Sequence, residues 1–122
     1  MTPPTERWPS EIRLSADKSI LSVVFDDGAK VDLSAEYLRV ESPSAEVQGH
    51  SPAEKKTIGG KRFARIVALE PVGNYAIKPK FEDGHDTGIF TWRYLFELGE
   101  QYPEKWADYL DRLRLAGLRR EP

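Results

Sequence analysis

The chain has 122 residues, 39% of them hydrophobic and 31% charged, with a net charge of −2 and no cysteine. That length suits one domain with a real core, and the balance of apolar and charged residues is that of a globular chain. The lack of cysteine excludes disulfides, thiolate catalysis and cysteine-ligated zinc or iron–sulfur clusters. Acids and bases interleaved at nearly neutral charge give no global attraction to nucleic acid or to an anionic membrane.

Residues 1–10 read as a flexible, proline-rich tail without the apolar stretch of a signal peptide. No window approaches the length of a membrane span, so the expected location is cytoplasmic. From Glu11 the chain alternates, with Ile12, Leu14 and Ala16 on one side, the period of a strand. Leu21, Val23 and Phe25 share one face of a second strand. Asp26-Asp27-Gly28 is a hairpin turn, and residues 30–33 return as a third strand. Ser34 is a good N-cap for a short helix through Tyr37 and Leu38, ended by Pro43, and Ser44 is placed to cap one further turn. Residues 48–61, rich in glycine and lysine, read as a long mobile loop outside the core.

Residues 64–69 and 75–81 form a second hairpin around Pro71-Val72-Gly73-Asn74, and Pro79 predicts an edge strand or a bulge there. Glu82-Asp83-Gly84-His85 is another tight turn. From Thr91 the pattern becomes helical: Trp92, Leu95 and Phe96 lead to Gly99, read as a stop signal. Pro103 opens a final helix whose stripe is Trp106, Tyr109, Leu110 and Leu113, ended by Gly117. Sheet first and helices last is an α+β pattern: a three-stranded antiparallel meander plus a second hairpin, with two C-terminal helices packed on one face. The expected organisation is a tail over 1–10, one domain over 11–117 and a charged tail over 118–122.

Two stretches carry a family resemblance. One runs from Leu38 to His50 and contains Glu41-Ser42-Pro43-Ser44-Ala45-Glu46-Val47. The other starts at Glu70-Pro71-Val72-Gly73-Asn74-Tyr75 and continues through Phe81-Glu82-Asp83-Gly84-His85-Asp86-Thr87-Gly88 to Thr91-Trp92-Arg93-Tyr94-Leu95. Together they resemble the γ-butyrobetaine hydroxylase-like N-terminal domain family, over nearly everything from Ile12 to about Leu110. The resemblance implies a domain found alone in bacteria, ahead of the catalytic jelly roll in carnitine-pathway dioxygenases, and at the C-terminal end of some P-loop iron–sulfur scaffold ATPases. In the dioxygenases it carries a structural zinc on three cysteines and one histidine. The histidine matches His85, and the cysteines match roughly Ser42, Ser44 and Val47. With no cysteine here that zinc site does not carry over, and no cofactor is expected.

The remaining constellations are thin. Iron-dependent oxygenation needs two histidines and a carboxylate on one face. The chain has only His50 and His85, and the latter sits beside Asp86 in a turn. Asp83, His85 and Asp86, joined by His50 and Glu46, are weak candidates for a metal or small-ligand site. The plainer reading is a polar turn in which Asp83 accepts backbone N–H groups and Asp86 or Thr87 caps the next segment. Lys55, Lys56, Lys61, Arg62 and Arg65 around Gly59-Gly60 do not fit a phosphate loop, and a solvated basic loop is the better reading. No Ser or Cys nucleophile sits in a recognisable motif, so no catalytic residue is assigned. Trp92, Tyr94 and Trp106 are first of all core, and weak candidates for a partner surface. The expectation is therefore a non-catalytic interaction domain with a protein partner, and the resemblance implies a link to iron–sulfur protein maturation or to a dioxygenase. No nucleic acid or membrane partner is expected, and the sequence leaves the oligomeric state open. The alternative is a metal- or small-ligand-binding protein using the Asp83-His85-Asp86 turn.

Overall fold

The structure, a computed structural model, describes residues 7–122; the first part of the expected N-terminal tail lies outside them. Strands β1 (Pro9–Leu14), β2 (Ile20–Phe25) and β3 (Lys30–Ser34) form one antiparallel meander in that order. It begins at Pro9, which pairs with Phe25, slightly ahead of the expected boundary. At the β2–β3 turn Gly28 takes φ +88, and the Asp27 carboxylate accepts the Ala29 N–H at 3.0 Å. This is the Asp-Gly hairpin chemistry read from the sequence.

Ser34 ends β3 and caps helix α1 (Ala35–Val40), its hydroxyl accepting the Tyr37 N–H at 3.0 Å. Ser44 likewise caps the single turn α2 (Ala45–Gln48), and Pro52–Glu54 adds a short 3-10 turn. A second antiparallel sheet joins β4 (Ile66–Val72), β5 (Ala76–Phe81) and β6 (Phe90–Thr91) in chain order. The Lys18 carbonyl accepts the Ile66 N–H at 2.9 Å and so ties the first hairpin turn to this sheet. Helices α3 (Trp92–Glu100) and α4 (Tyr102–Leu115) close the domain.

One core joins both sheets and the helices. Leu21, Val23, Phe25 and Leu33 meet Ile66, Phe81 and Phe90, with Leu38 of α1 and Leu95 and Leu98 of α3 between them. Tyr37 is fully buried, donates its hydroxyl to the Leu98 carbonyl at 2.8 Å, and meets the rings of Tyr102 and Trp106 edge-on. A smaller cluster of Val40, Tyr109 and Leu113 packs under Ile58 and Trp106.

Four sequence expectations need correction. Pro79 lies in β5, the middle strand of its sheet, and is buried. This is tolerated because β6 pairs only with Ala76 and Ile77, and the irregularity falls opposite, between Ile66 and Ala68 of β4. Leu110 is 41% exposed, so the α4 stripe is narrower than its spacing suggests. The loop over 48–61 is not outside the core at its far end: Ile58 packs on the smaller cluster and its carbonyl accepts the Tyr109 hydroxyl.

Gly99 does not stop α3 but lies inside it, where a Cβ would stand 2.3 Å from Val31 Cγ1 and 2.8 Å from Val31 Cβ. The glycine lets α3 lie close on β3. Gly99→Ala would gain about 1 kcal/mol of helix propensity. The clash involves Val31 Cβ itself, which no rotamer moves away, and overpacking of this kind costs roughly 1–3 kcal/mol. The clash therefore wins: Gly99→Ala is expected to lower the urea midpoint, whereas exposed Glu100→Ala leaves it nearly unchanged.

Candidate functional site

After α1 the chain runs through Glu41-Ser42-Pro43-Ser44 below the surface, with Glu41, Ser42 and Ser44 all buried. The turn after β5 delivers His85 to the same place. Its Nε2 lies 2.9 Å from Ser42 Oγ, and its Nδ1 lies 3.1 Å from Glu46 Oε2 at the start of α2. Beside this chain Ser44 Oγ meets Thr87 Oγ1 at 2.7 Å. Gly88 closes the corner, where a Cβ would fall 2.3 Å from Ser42 Oγ.

The partners set the tautomer. A carboxylate only accepts, so Nδ1 carries the proton and donates to Glu46. Nε2 of the neutral ring then accepts, and the Ser42 hydroxyl donates to it. Burial pushes the His85 pKa down, helped by the Arg39 charge, while Glu46 and Asp83 pull the other way without prevailing. The neutral ring is thus the stable form. Asp83 accepts the His85 N–H at 3.0 Å, Lys61 Nζ at 2.6 Å and Arg39 Nε at 2.8 Å. Burial opposes its charge, yet those hydrogen bonds hold its carboxyl well below the usual range. The groove beside Asp83, roughly 240 Å³, is lined by Lys61, Phe63, Arg65 and Pro122 among others, and neither Ser42 nor His85 lines it.

The sequence-derived candidates separate. Asp83 and His85 share the turn as read, and Glu46 joins His85. Asp86 is exposed, and Thr91, not Asp86 or Thr87, caps α3. His50 lies elsewhere, its N–H on Glu54 Oε2 at 2.7 Å in a groove shared with Lys55 and Arg112. Among the described residues no group of three or more His, Asp or Glu stands where it would hold a metal ion. Nor is the basic loop merely solvated, because Lys55 pairs with buried Glu41 at 2.7 Å, Lys61 with Asp83 and Arg62 with Glu121. Trp92, Tyr94 and Trp106 are partly buried against the main core; the Trp92 indole N–H donates to the Asn74 carbonyl and the Tyr94 hydroxyl to that of Glu41. Ser42 as a hydrogen-bond partner of His85 was not foreseen; the one available signal was its place among the positions matching zinc ligands.

Of those positions Ser42 meets His85 and Ser44 meets the nearby Thr87, and their chemistry does not fit zinc. Ser42 and Ser44 offer hydroxyls that stay protonated at neutral pH, Val47 offers only methyls, and Nε2 is engaged by Ser42.

The architecture is that of a small α+β domain: two three-stranded antiparallel sheets share one core, and a serine–histidine–carboxylate chain fastens its polar corner. The chain belongs to the family described as γ-butyrobetaine hydroxylase-like, N-terminal, whose model matches residues 12–96. It is similar to a protein solved by solution NMR at 46% identity, covering 95% of this chain and 91% of that one, with a TM-score of 0.81. A second NMR structure is 42% identical over 100% of this chain and 92% of the other, with a TM-score of 0.83. A crystal structure from Acidithiobacillus ferrooxidans ATCC 23270, of a DUF971-family protein of unknown function, is 38% identical over 81% and 98%, with a TM-score of 0.65. No curated protein matches the chain. No helix among the described residues is long and apolar enough to cross a membrane.

Two outcomes test the corner. Because the fold disfavours a protonated His85, the unfolded chain takes up that proton at higher pH than the folded one. The stability tied to a neutral ring is complete above the ordinary value of 6.5 and is lost as pH falls below it. Urea midpoints measured at about pH 7.5 and about pH 5.5 should fall more steeply for the natural chain than for His85→Gln, which does not titrate there. Separately, protein purified without added metal is expected to hold far less zinc than protein, and a chelator should leave its melting temperature unchanged. Stoichiometric metal lost together with stability in His85→Ala would reverse that reading.

Proposed function

We propose that this is a non-catalytic accessory domain that acts by binding another protein. The observation that carries the reading is the burial of Ser42. The Ser42–His85–Glu46 chain has the polarity of a nucleophilic triad, with the hydroxyl donating to a neutral imidazole that donates to a carboxylate. A nucleophile must reach its substrate, and Ser42 has no accessible surface, with Gly88 pressed against its hydroxyl. The chain therefore acts as a fastener. The family's description, an N-terminal domain of hydroxylase-like proteins, supports an accessory role. The resemblance to domains fused to dioxygenases and to iron–sulfur scaffold ATPases supports a partner from iron–sulfur protein maturation or a dioxygenase, an inference from association.

Affinity capture with the tagged full chain from its native cells tests this, with metal analysis of the captured material. Enrichment of an iron–sulfur maturation protein or a dioxygenase, undiminished by Ser42→Ala at equal folded fraction, is the expected result. An ester- or amide-cleaving activity abolished by Ser42→Ala in folded protein would overturn it.

A further inference from the structure

The segment after α4 is not free. At Gly117, with φ +68, the chain turns back over the loop ahead of β4. The Arg119 carbonyl accepts the Gly60 N–H at 2.8 Å, and that of Arg120 accepts the Arg62 N–H at 3.0 Å, so two backbone hydrogen bonds hold the segments together. Gly59 permits the approach, since a Cβ there would stand 3.0 Å from the Arg119 carbonyl oxygen.

The Arg120 side chain then enters a slot. Its Nε and Nη2 meet Glu36 Oε2 and Oε1 at 2.8 and 2.7 Å, and its guanidinium lies 5.1 Å from the Trp106 ring centre. Glu36 is a helical carboxylate only 5% exposed, so it requires a cation. The paired oxygens match the fork of arginine better than the point charge of lysine, and the indole face adds a second preference for a planar cation. The rest of the segment holds weakly: Leu118 is exposed, and the Arg62–Glu121 pair is open to solvent on both sides. Next to Arg120 a groove of roughly 410 Å³ remains, lined by Ser19, Ile20, Ser34, Tyr102 and Trp106 among others.

We propose that the Glu36–Trp106 slot, with the Gly60–Arg62 backbone beside it, is a recognition site for an extended, arginine-bearing segment of a partner protein, and that residues 118–121 occupy it in cis. The charge complementarity is that of a buried carboxylate for a guanidinium. The docked segment shows the binding mode, backbone pairing with Gly60 and Arg62 plus one inserted arginine. A tethered segment competes at an effective concentration on the order of millimolar, so an incoming segment binds well only once Arg120 has left. The proposal rests on the reading of the domain as an interaction module, but the two fail separately. A silent slot leaves partner capture unaffected, and a failed capture leaves the slot measurable.

The test uses the full chain and a synthetic peptide, Leu-Arg-Arg-Glu-Pro, followed by Trp106 fluorescence and by the Gly60 and Arg62 amide resonances. Arg120→Ala, which empties the slot, is expected to bind the peptide on the order of tenfold more tightly than the natural chain. Adding Glu36→Gln to that variant should abolish the gain, and a peptide with lysine in place of both arginines should bind much more weakly. If Arg120→Ala does not fold, the natural chain is titrated instead, and the arginine peptide should shift the Gly60 and Arg62 amides where the lysine peptide does not. Binding indifferent to Glu36→Gln, or no response to the arginine peptide in folded protein, would overturn the proposal. So would a dimer formed by exchange of residues 118–121, which would make a second copy the occupant.

Discussion

A polar segment buried after α1 sets the terms for the surrounding structure. Burying hydroxyls, carbonyls and a carboxylate is tolerable only when each finds a partner. Here the partners come from every side. Lys55 reaches the Glu41 carboxylate and Tyr94 its carbonyl, His85 takes the Ser42 hydroxyl, Gln48 the Ser42 carbonyl, and Thr87 the Ser44 hydroxyl. Those groups sit on the 48–61 loop, on α2, on α3 and on the turn between β5 and β6. The segment therefore holds together elements that share little backbone pairing.

The same rule orders the charges. Helix α1 carries Glu36 and ends beside Glu41, and both are nearly inaccessible. Each draws one cation from a segment without regular structure: Arg120 from beyond α4 and Lys55 from the loop before β4. Arg39 on the same helix reaches Asp83, which also takes Lys61. Three irregular regions are thus pinned to one short helix by ion pairs that are partly or wholly shielded from water, where pairing matters more than it does at the surface. Mutual pairing on this scale accounts for Lys55 and Lys61 of the basic loop.

Most of the fold was legible because its signals are local. The Asp26-Asp27-Gly28 hairpin, the serine caps at Ser34 and Ser44 and the change of period at Thr91 are each written within a few residues. What was not legible depends on distant packing. Gly99 looks like a helix stop until Val31 is seen against it, and Pro79 looks like an edge residue until the shortness of β6 is known. The candidate site divides in the same way. The Asp83–His85 turn is local chemistry and was readable. The Ser42–His85 contact spans 43 residues, and only the family resemblance pointed toward it. The Arg120–Glu36 contact spans 84 and had no signal at all, since an arginine in a charged tail reads as solvated.

The Ser42–His85–Glu46 chain has the hydrogen-bond polarity of a catalytic triad around a buried hydroxyl. Its proton order is that of an activated nucleophile, but its geometry serves a different end. Ser42 Oγ also stands 3.3 Å from the Ser44 N–H as acceptor, so the oxygen that would attack is already occupied. The His85 ring lies against Phe81, at 5.9 Å between ring centres, and the burial that lowers its pKa also shields it from solvent. A nucleophile needs the reverse: an oxygen open on one side and room beyond it for a tetrahedral intermediate. Gly88 occupies that space, and any side chain there would push Ser42 aside. Strength at this corner and access to it are opposed by construction, and these residues provide strength.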